Sequence, residues 1–193
     1  MSTVSQFDTQ TVRNGDVRQP DTSTQVNFPG RPFVAPPHLP HGIRQLDVGN
    51  NINIRVKTAI ENITQTSGIY HITSWADTTF HGGIVDSLNL APTNLEFLTG
   101  EHLRIFTSVN MLEVRPLSNP QLQQSKSIGF GDVEFWKKPN IFVALNSFDI
   151  GCGANFRLKA YIDNVVQKEL TWHIDAWDNT VLYSASATII AVN

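Results

Sequence analysis

Cys152 is the only cysteine in the chain, so no intrachain disulfide can form and the fold must be held by its core. A reducing compartment suits such a chain. Charge is scarce as well: Asp, Glu, Lys and Arg make up 16% of the residues, and the formal net charge is −3. Lys137 and Lys138 are the only adjacent basic pair. Nucleic-acid binders draw their affinity from basic stripes that meet phosphates, and no stripe is present, so the expected partners include no nucleic acid. No run approaches the ~20 apolar residues of a membrane-crossing helix. The amino-terminal segment also lacks the apolar stretch of a secretion signal. The expectation is no membrane span and a cytoplasmic location, or export without a classical signal peptide. Helical periodicity is missing too. Short alternating segments separated by Gly, Pro, Asn and Asp stand in its place and predict an all-β fold.

What the chain has in abundance is self-similarity, the mark of a recurring structural unit. Shifted by 102 positions, residues 46–81 align with 148–183 without a gap, and 12 of 36 positions are identical. The identities include Asp47/Asp149, Gly49/Gly151, Asn53/Asn155, Arg55/Arg157, Lys57/Lys159, Asn62/Asn164, Gln65/Gln167, His71/His173, Trp75/Trp177 and Thr78/Thr180. Upstream, Phe7-Asp8-Thr9 resembles Phe97-Leu98-Thr99, and Val26-Asn27-Phe28 resembles Val133-Glu134-Phe135. That pairing gives the second copy about 17 extra residues around Val109–Ser125 and the first a small insertion at Pro36–Pro40. The turn-forming cluster Ala91-Pro92-Thr93-Asn94 divides the chain into modules 1–93 and 94–193.

Strand alternation sorts side chains by face. In Ile52–Thr58 it places Ile52, Ile54 and Val56 opposite Asn53, Arg55 and Lys57. The second copy sets Ala154, Phe156 and Leu158 against Asn155, Arg157 and Lys159. Apolar positions change identity, as cores tolerate, while the polar triplet is identical, which points to a polar task. The next strand puts Tyr70, Ile72 and Ser74 opposite His71, Thr73 and Trp75; in the second copy Trp172, Ile174 and Ala176 oppose His173, Asp175 and Trp177. Each of these outward tryptophans opens a polar loop, Ala76-Asp77-Thr78 or Asp178-Asn179-Thr180, and can offer a flat apolar surface beside hydrogen-bonding groups. Two plainer roles remain open. The tryptophans can pack beneath their loops, and the arginines can pair with Asp47 and Asp149 or with a neighbouring domain.

Other chemistry finds little support. His38 and His41 sit in a Pro-rich loop without further ligands, so no metal site is expected. Cys152 has no basic neighbour to activate it. Glycoside hydrolysis needs two carboxylates facing a cleft. Asp77 and Asp86 are candidates, but the second copy has Asn179 and Thr188 in their places. Neither an enzyme nor a cofactor is expected.

The ordered pieces Val133-Glu134-Phe135, Pro139, Phe148-Asp149, Asn155-Phe156-Arg157-Leu158, Trp177-Asp178-Asn179-Thr180 and Tyr183 resemble the H-type lectin domain, the type found in snail agglutinins and discoidins. Val26-Asn27-Phe28, Pro32, Leu46-Asp47, Asn53-Ile54-Arg55-Val56 and Trp75-Ala76-Asp77-Thr78, with His81, repeat the pattern. The resemblance implies two tandem antiparallel six-stranded β-sandwich domains, trimeric packing, and terminal galactose or N-acetylgalactosamine bound between neighbouring domains. Carried over by position, Arg55 and Arg157 would donate to sugar hydroxyls, and Trp75 and Trp177 would shape the site. His81 and Tyr183 would line it, with Asp178 after the second Trp and Asp77 in the first loop. Asp16 would reach it from the amino-terminal arm. The implied protein is a multivalent, homo-oligomeric glycan binder; the competing expectation is a sandwich that uses the polar stripe for subunit contacts alone.

Overall fold

A computed structural model of the protein describes residues 3–9, 20–49, 52–91, 103–110 and 122–192. The first copy contains β1 (Thr3–Asp8), β2 (Asp21–Asn27), β3 (His41–Val48), β4 (Ile54–Glu61), β5 (Ser67–Ser74) and β6 (Phe80–Asn89). The second contains β7 (Leu103–Asn110), β8 (Gln123–Gly129), β9 (Asn140–Ile150), β10 (Leu158–Asp163), β11 (Glu169–Ala176) and β12 (Leu182–Val192). Every ladder is antiparallel. No α-helix occurs among the described residues, as the lack of helical periodicity predicts.

Each copy folds as two facing three-stranded sheets, β1-β6-β3 with β2-β5-β4, and β7-β12-β9 with β8-β11-β10. The period of two decides what lies between them. Tyr70, Ile72 and Ser74 on β5 are buried, as are Trp172, Ile174 and Ala176 on β11, while His71, Thr73 and His173 turn outward and stay half-exposed. Tyr70 packs edge-on against Phe7, and Phe130 against Phe135. This burial supplies the cohesion that a chain with one cysteine cannot draw from disulfides.

The two modules are not beads on a string. β4 of the first pairs with β9 of the second, in the register Ile54↔Ile150, Arg55↔Asp149, Val56↔Phe148 and Lys57↔Ser147. Two three-stranded sheets thereby fuse into one six-stranded sheet, β2-β5-β4-β9-β12-β7. The Thr58 hydroxyl donates to the Asn146 carbonyl at 3.0 Å beside this seam. Gly42 lies so close to Ala144 that a Cβ there would collide with the alanine methyl, which explains why position 42 carries no side chain.

Two sequence expectations need correction. The upstream alignment is wrong, because the offset of 102 continues without a gap. Gln25 opposes Ile69 and Ser127 opposes Thr171. Phe28 N–H donates to Thr66 O and Phe130 N–H to Lys168 O, so Phe28 corresponds to Phe130. Phe33 and Phe135 likewise bond to Gln65 O and Gln167 O, so Phe135 corresponds to Phe33. Val133-Glu134-Phe135 is therefore the counterpart of Arg31-Pro32-Phe33, and neither copy carries the proposed insertion. A core accepts many apolar residues at one position, so a matching aromatic in the sequence misled where a ladder register does not. The second correction concerns strand starts: the strands begin at Ile54 and Leu158, not at Ile52 and Ala154. Phe156 is 48% exposed and packs edge-on against Phe148 rather than pointing into the core. In the first copy the matching residue, Ile54, has β9 to pair with; β10 has no strand on that side among the described residues. The division between residues 93 and 94 lies outside the described residues.

Candidate functional site

Residues identical in both copies fall into two groups once their contacts are known. Most hold the backbone. Gly49 and Gly151 sit where a Cβ would press on Thr79 or Val181, and their N–H groups donate to the carbonyls of those residues at 2.7 Å. Asn62 and Asn164 adopt positive φ, 48° and 47°, a left-handed conformation Asn tolerates better than most residues. Gln65 pins the Val34 carbonyl at 2.8 Å and Gln167 the Trp136 carbonyl at 2.9 Å. Thr78 and Thr180 donate to the carbonyls of Asn53 and Asn155, closing the loop that follows each tryptophan. His71 faces Asp21 at 3.5 Å, and His173 faces Asp163 at 3.0 Å. For these residues repetition reflects architecture.

Among the identities these contacts do not explain are the tryptophans and the arginines. Trp75 and Trp177 are 37% and 47% exposed. Each leaves part of its ring open to a ligand or partner. Beside each lies an arginine held in place by a polar loop.

Around Arg55 the site is built from both modules. Arg55 Nη1 donates to Asp77 Oδ1 at 2.6 Å, and its Nε lies 3.5 Å from Asp149 Oδ1 across the seam. The latter contact is long, and Asp149 Oδ1 is shut off from solvent with no short hydrogen bond to hold it. Burial raises the Asp149 carboxyl above its ordinary range, and Arg55 offsets only part of that shift. Tyr183 joins from the second module: burial raises its phenol, and the nearby Asp149 and Cys152 charges add to the effect. Asn53 Oδ1 accepts the Cys152 N–H at 3.0 Å and so ties the Asn of the polar triplet to the opposite module. The guanidinium is only 16% exposed whereas Asp77 is 64% exposed. The outcome is a rigid donor fork, a reachable carboxylate, an adjacent phenol and, on the same loop as Asp77, an indole.

The Arg157 counterpart is half of such a site. Nη1 donates to Asn179 at 2.7 Å and Nη2 approaches Asp178 at 3.0 Å, so the loop alone supplies both acceptors. The residues corresponding to Asp149 and Tyr183 are Asp47 and His81 of the first module. They lie on β3 and β6, in a sheet that does not include β10. The arginines therefore do not pair with the aspartate of their own module, one of the two alternatives the sequence left open. Arg55 reaches Asp149 of the other copy. Sequence reasoning missed Asp149 and Asn179 as site residues; identity at Asp47/Asp149 was the available signal for the first, and the place of Asn179 in the loop after Trp177, as counterpart of Asp77, for the second. Asp16 lies outside the described residues. Asp77 and Asp86 do not form a catalytic pair, because Asp77 holds Arg55 and Asp86 faces Arg44 at 3.4 Å.

A family model described as "H-type lectin domain" matches residues 23–86 and 125–192, more than half of the chain and separated by the same offset of 102. The chain belongs to the H-type lectin family. No curated protein matches it. Membership in two segments makes the chain a tandem lectin of β-sandwich architecture, in a carbohydrate-binding family that is typically non-enzymatic.

Proposed function

We propose that the protein is a multivalent lectin for terminal galactose or N-acetylgalactosamine, with the primary sugar bound at the junction of the two modules. The observation that carries this reading is the convergence of Arg55 and Asp77 from one module with Asp149 and Tyr183 from the other. An aldose presents vicinal hydroxyls, which a fixed guanidinium and a carboxylate can engage together. A single shallow site of this kind gives about −4 to −6 kcal/mol, so useful affinity requires several sites on one rigid body.

The same geometry suggests how further sites arise. A contact between unlike edges, β4 on β9, can repeat head to tail. The corresponding edges left over are β10 of one chain and β3 of a second copy. Transferring the observed register by 102 positions would set Arg157 opposite Asp47 and bring His81 to the Arg157 loop. An apolar groove of about 570 Å³ adjoins the existing junction, lined among others by Val4, Ile43, Leu88, Phe142 and Ile190. Val4 and Phe142 are exposed there, and a further module of the same chain would cover them. The homo-oligomer in this proposal is a trimer or a multiple of one.

Inhibition on a glycan array by free galactose and N-acetylgalactosamine tests the sugar reading. Trp177→Ala and Arg157→Ala should weaken multivalent binding about tenfold or more through loss of avidity while leaving the thermal transition in place. Parent-like behaviour of both variants on every glycan would exclude the Arg157 site, and sedimentation showing only a 21.5 kDa species would exclude the assembly.

Acid should affect binding and folding in opposite directions at Asp149. Its raised carboxyl disfavours the ionised form in the folded chain, so protonation relieves that penalty as pH falls through the raised pKa. Sugar binding, which relies on the Arg55 guanidinium that the ionised Asp149 helps to hold, weakens in the same window, above the usual carboxylate range. Calorimetric titration across pH 3–7 should show this fall in the parent, and a flat, weaker profile in Asp149→Asn.

A further inference from the structure

Lys57 and Lys159 are identical across the repeat, yet their surroundings differ. Lys159 Nζ lies 3.7 Å from Asp175 and 4.4 Å from the centre of the Tyr161 ring. At the corresponding positions the first copy has Thr73 and Ala59. Both positions hold shorter, uncharged residues there, while the lysine is the same. Lys57 is exposed and has no acidic partner among the described residues. Arg44, Arg55 and Arg157 are each matched by a carboxylate.

Lys57 borders a cleft of about 600 Å³ where β4 and β9 diverge, closed on one side by the Pro37–His41 segment. His38, Ser147, Pro37, Ile60 and Ile63 are among its other lining residues, and no carboxylate is. The space left by Ala59, which also lines the cleft, is the space its Tyr161 counterpart would take up. Burial pushes the His41 imidazole down, and its Nδ1–H donates to the Leu39 carbonyl at 3.1 Å, so at neutral pH it adds no charge of its own. The fixed positive charge of the cleft is therefore that of Lys57. By strand alternation Lys57 shares a face of β4 with Arg55, about 6.6–6.8 Å away along the strand, the length of roughly one saccharide unit.

We propose that this cleft receives an anionic substituent, a sulfate ester or a carboxylate, on a glycan whose neutral sugar occupies the Arg55 site. The inference rests on the sugar reading of that site. Pro37, Ile60 and Ile63 meet the C–H face of the acidic unit, while Lys57, Ser147 and His38 offer donors to its oxygens. The gain is modest because Lys57 is solvated: about three- to tenfold, and smaller at high salt.

Calorimetric titration of the full chain with a neutral galactoside, its sulfated and sialylated derivatives, and inorganic sulfate tests the proposal, with Lys57→Gln in parallel. The expected result is a three- to tenfold preference for at least one acidic derivative, reduced by added salt and absent in Lys57→Gln, whose binding of the neutral galactoside is unchanged. Lys57 is exposed, so that variant should keep the parent's thermal transition. Equal affinity for neutral and acidic glycans, or a preference that survives Lys57→Gln, would overturn the proposal. Inorganic sulfate binding through Lys57 without any preference among glycans would also overturn it, by reducing the cleft to a free-anion site. If the acidic derivative and inorganic sulfate bound through Lys57 while the neutral galactoside did not bind at all, the Arg55 reading would fall and the anion cleft would stand.

Discussion

Arg55→Ala should lower galactoside affinity at the intrachain site by about 10²-fold, the loss expected from removing charge-assisted hydrogen bonds worth roughly 1.5–3 kcal/mol. The guanidinium is pre-positioned: Asp77 and Asp149 hold two of its three nitrogens, and the chain loses little further side-chain freedom when sugar arrives. Removing it also inverts the local field, leaving two carboxylates where a cation separated them. Arg55→Lys should recover only a small part of the loss, because an ammonium lacks the planar fork that spans both modules. Asp77→Asn should cost much less, about threefold, since Asn179 already performs the corresponding task for Arg157. Calorimetric titration paired with thermal melts separates these effects from unfolding. If Arg55→Ala bound galactoside like the parent, the sugar site would have to lie elsewhere.

Phe148→Ala should destabilise the protein by about 3–5 kcal/mol, seen as a fall in Tm of roughly 6–20 °C. Phe148 is buried on β9 and opposes Val56 on β4, so it belongs to the seam between modules as well as to the core. The cavity left behind opens where the two modules meet. Asp149 is the next residue along the strand, and a relaxed β9 would carry it away from Arg55, so sugar affinity should fall with stability. Phe156→Ala provides the contrast: that ring touches Phe148 from an exposed position, and its loss should cost only about 1 kcal/mol. Equal effects from the two substitutions would mean that the seam is not a packed interface.

How far the chain could be read in advance depended on the kind of contact involved. Alternation along β5 and β11 made the buried and outward faces legible, since period two leaves no freedom once one face is apolar. The repeat made two modules legible, and the layout of Asn53, Arg55 and Trp75 pointed to the family. Identity across the repeat does not by itself separate function from architecture: Asn62, Gln65, Gly49 and Thr78 hold turns and loop pins, which identity cannot distinguish from ligand contacts. Outside the matched window, aromatic residues drew the alignment off register. Asn179 was visible as part of the polar loop after Trp177, but an amide in a loop becomes a site residue only when an arginine folds onto it.

The order of residues alone determined an all-β chain, its duplication, and the inward and outward side chains of its central strands. Each follows from local periodicity or composition, which need no knowledge of what lies opposite. Tertiary structure alone decided which arginine meets which aspartate. Pairing of β4 with β9 joins residues nearly a hundred positions apart, and nothing in local sequence chooses Asp149 over Asp47. That choice turns one polar stripe into a completed site and leaves its twin half-built.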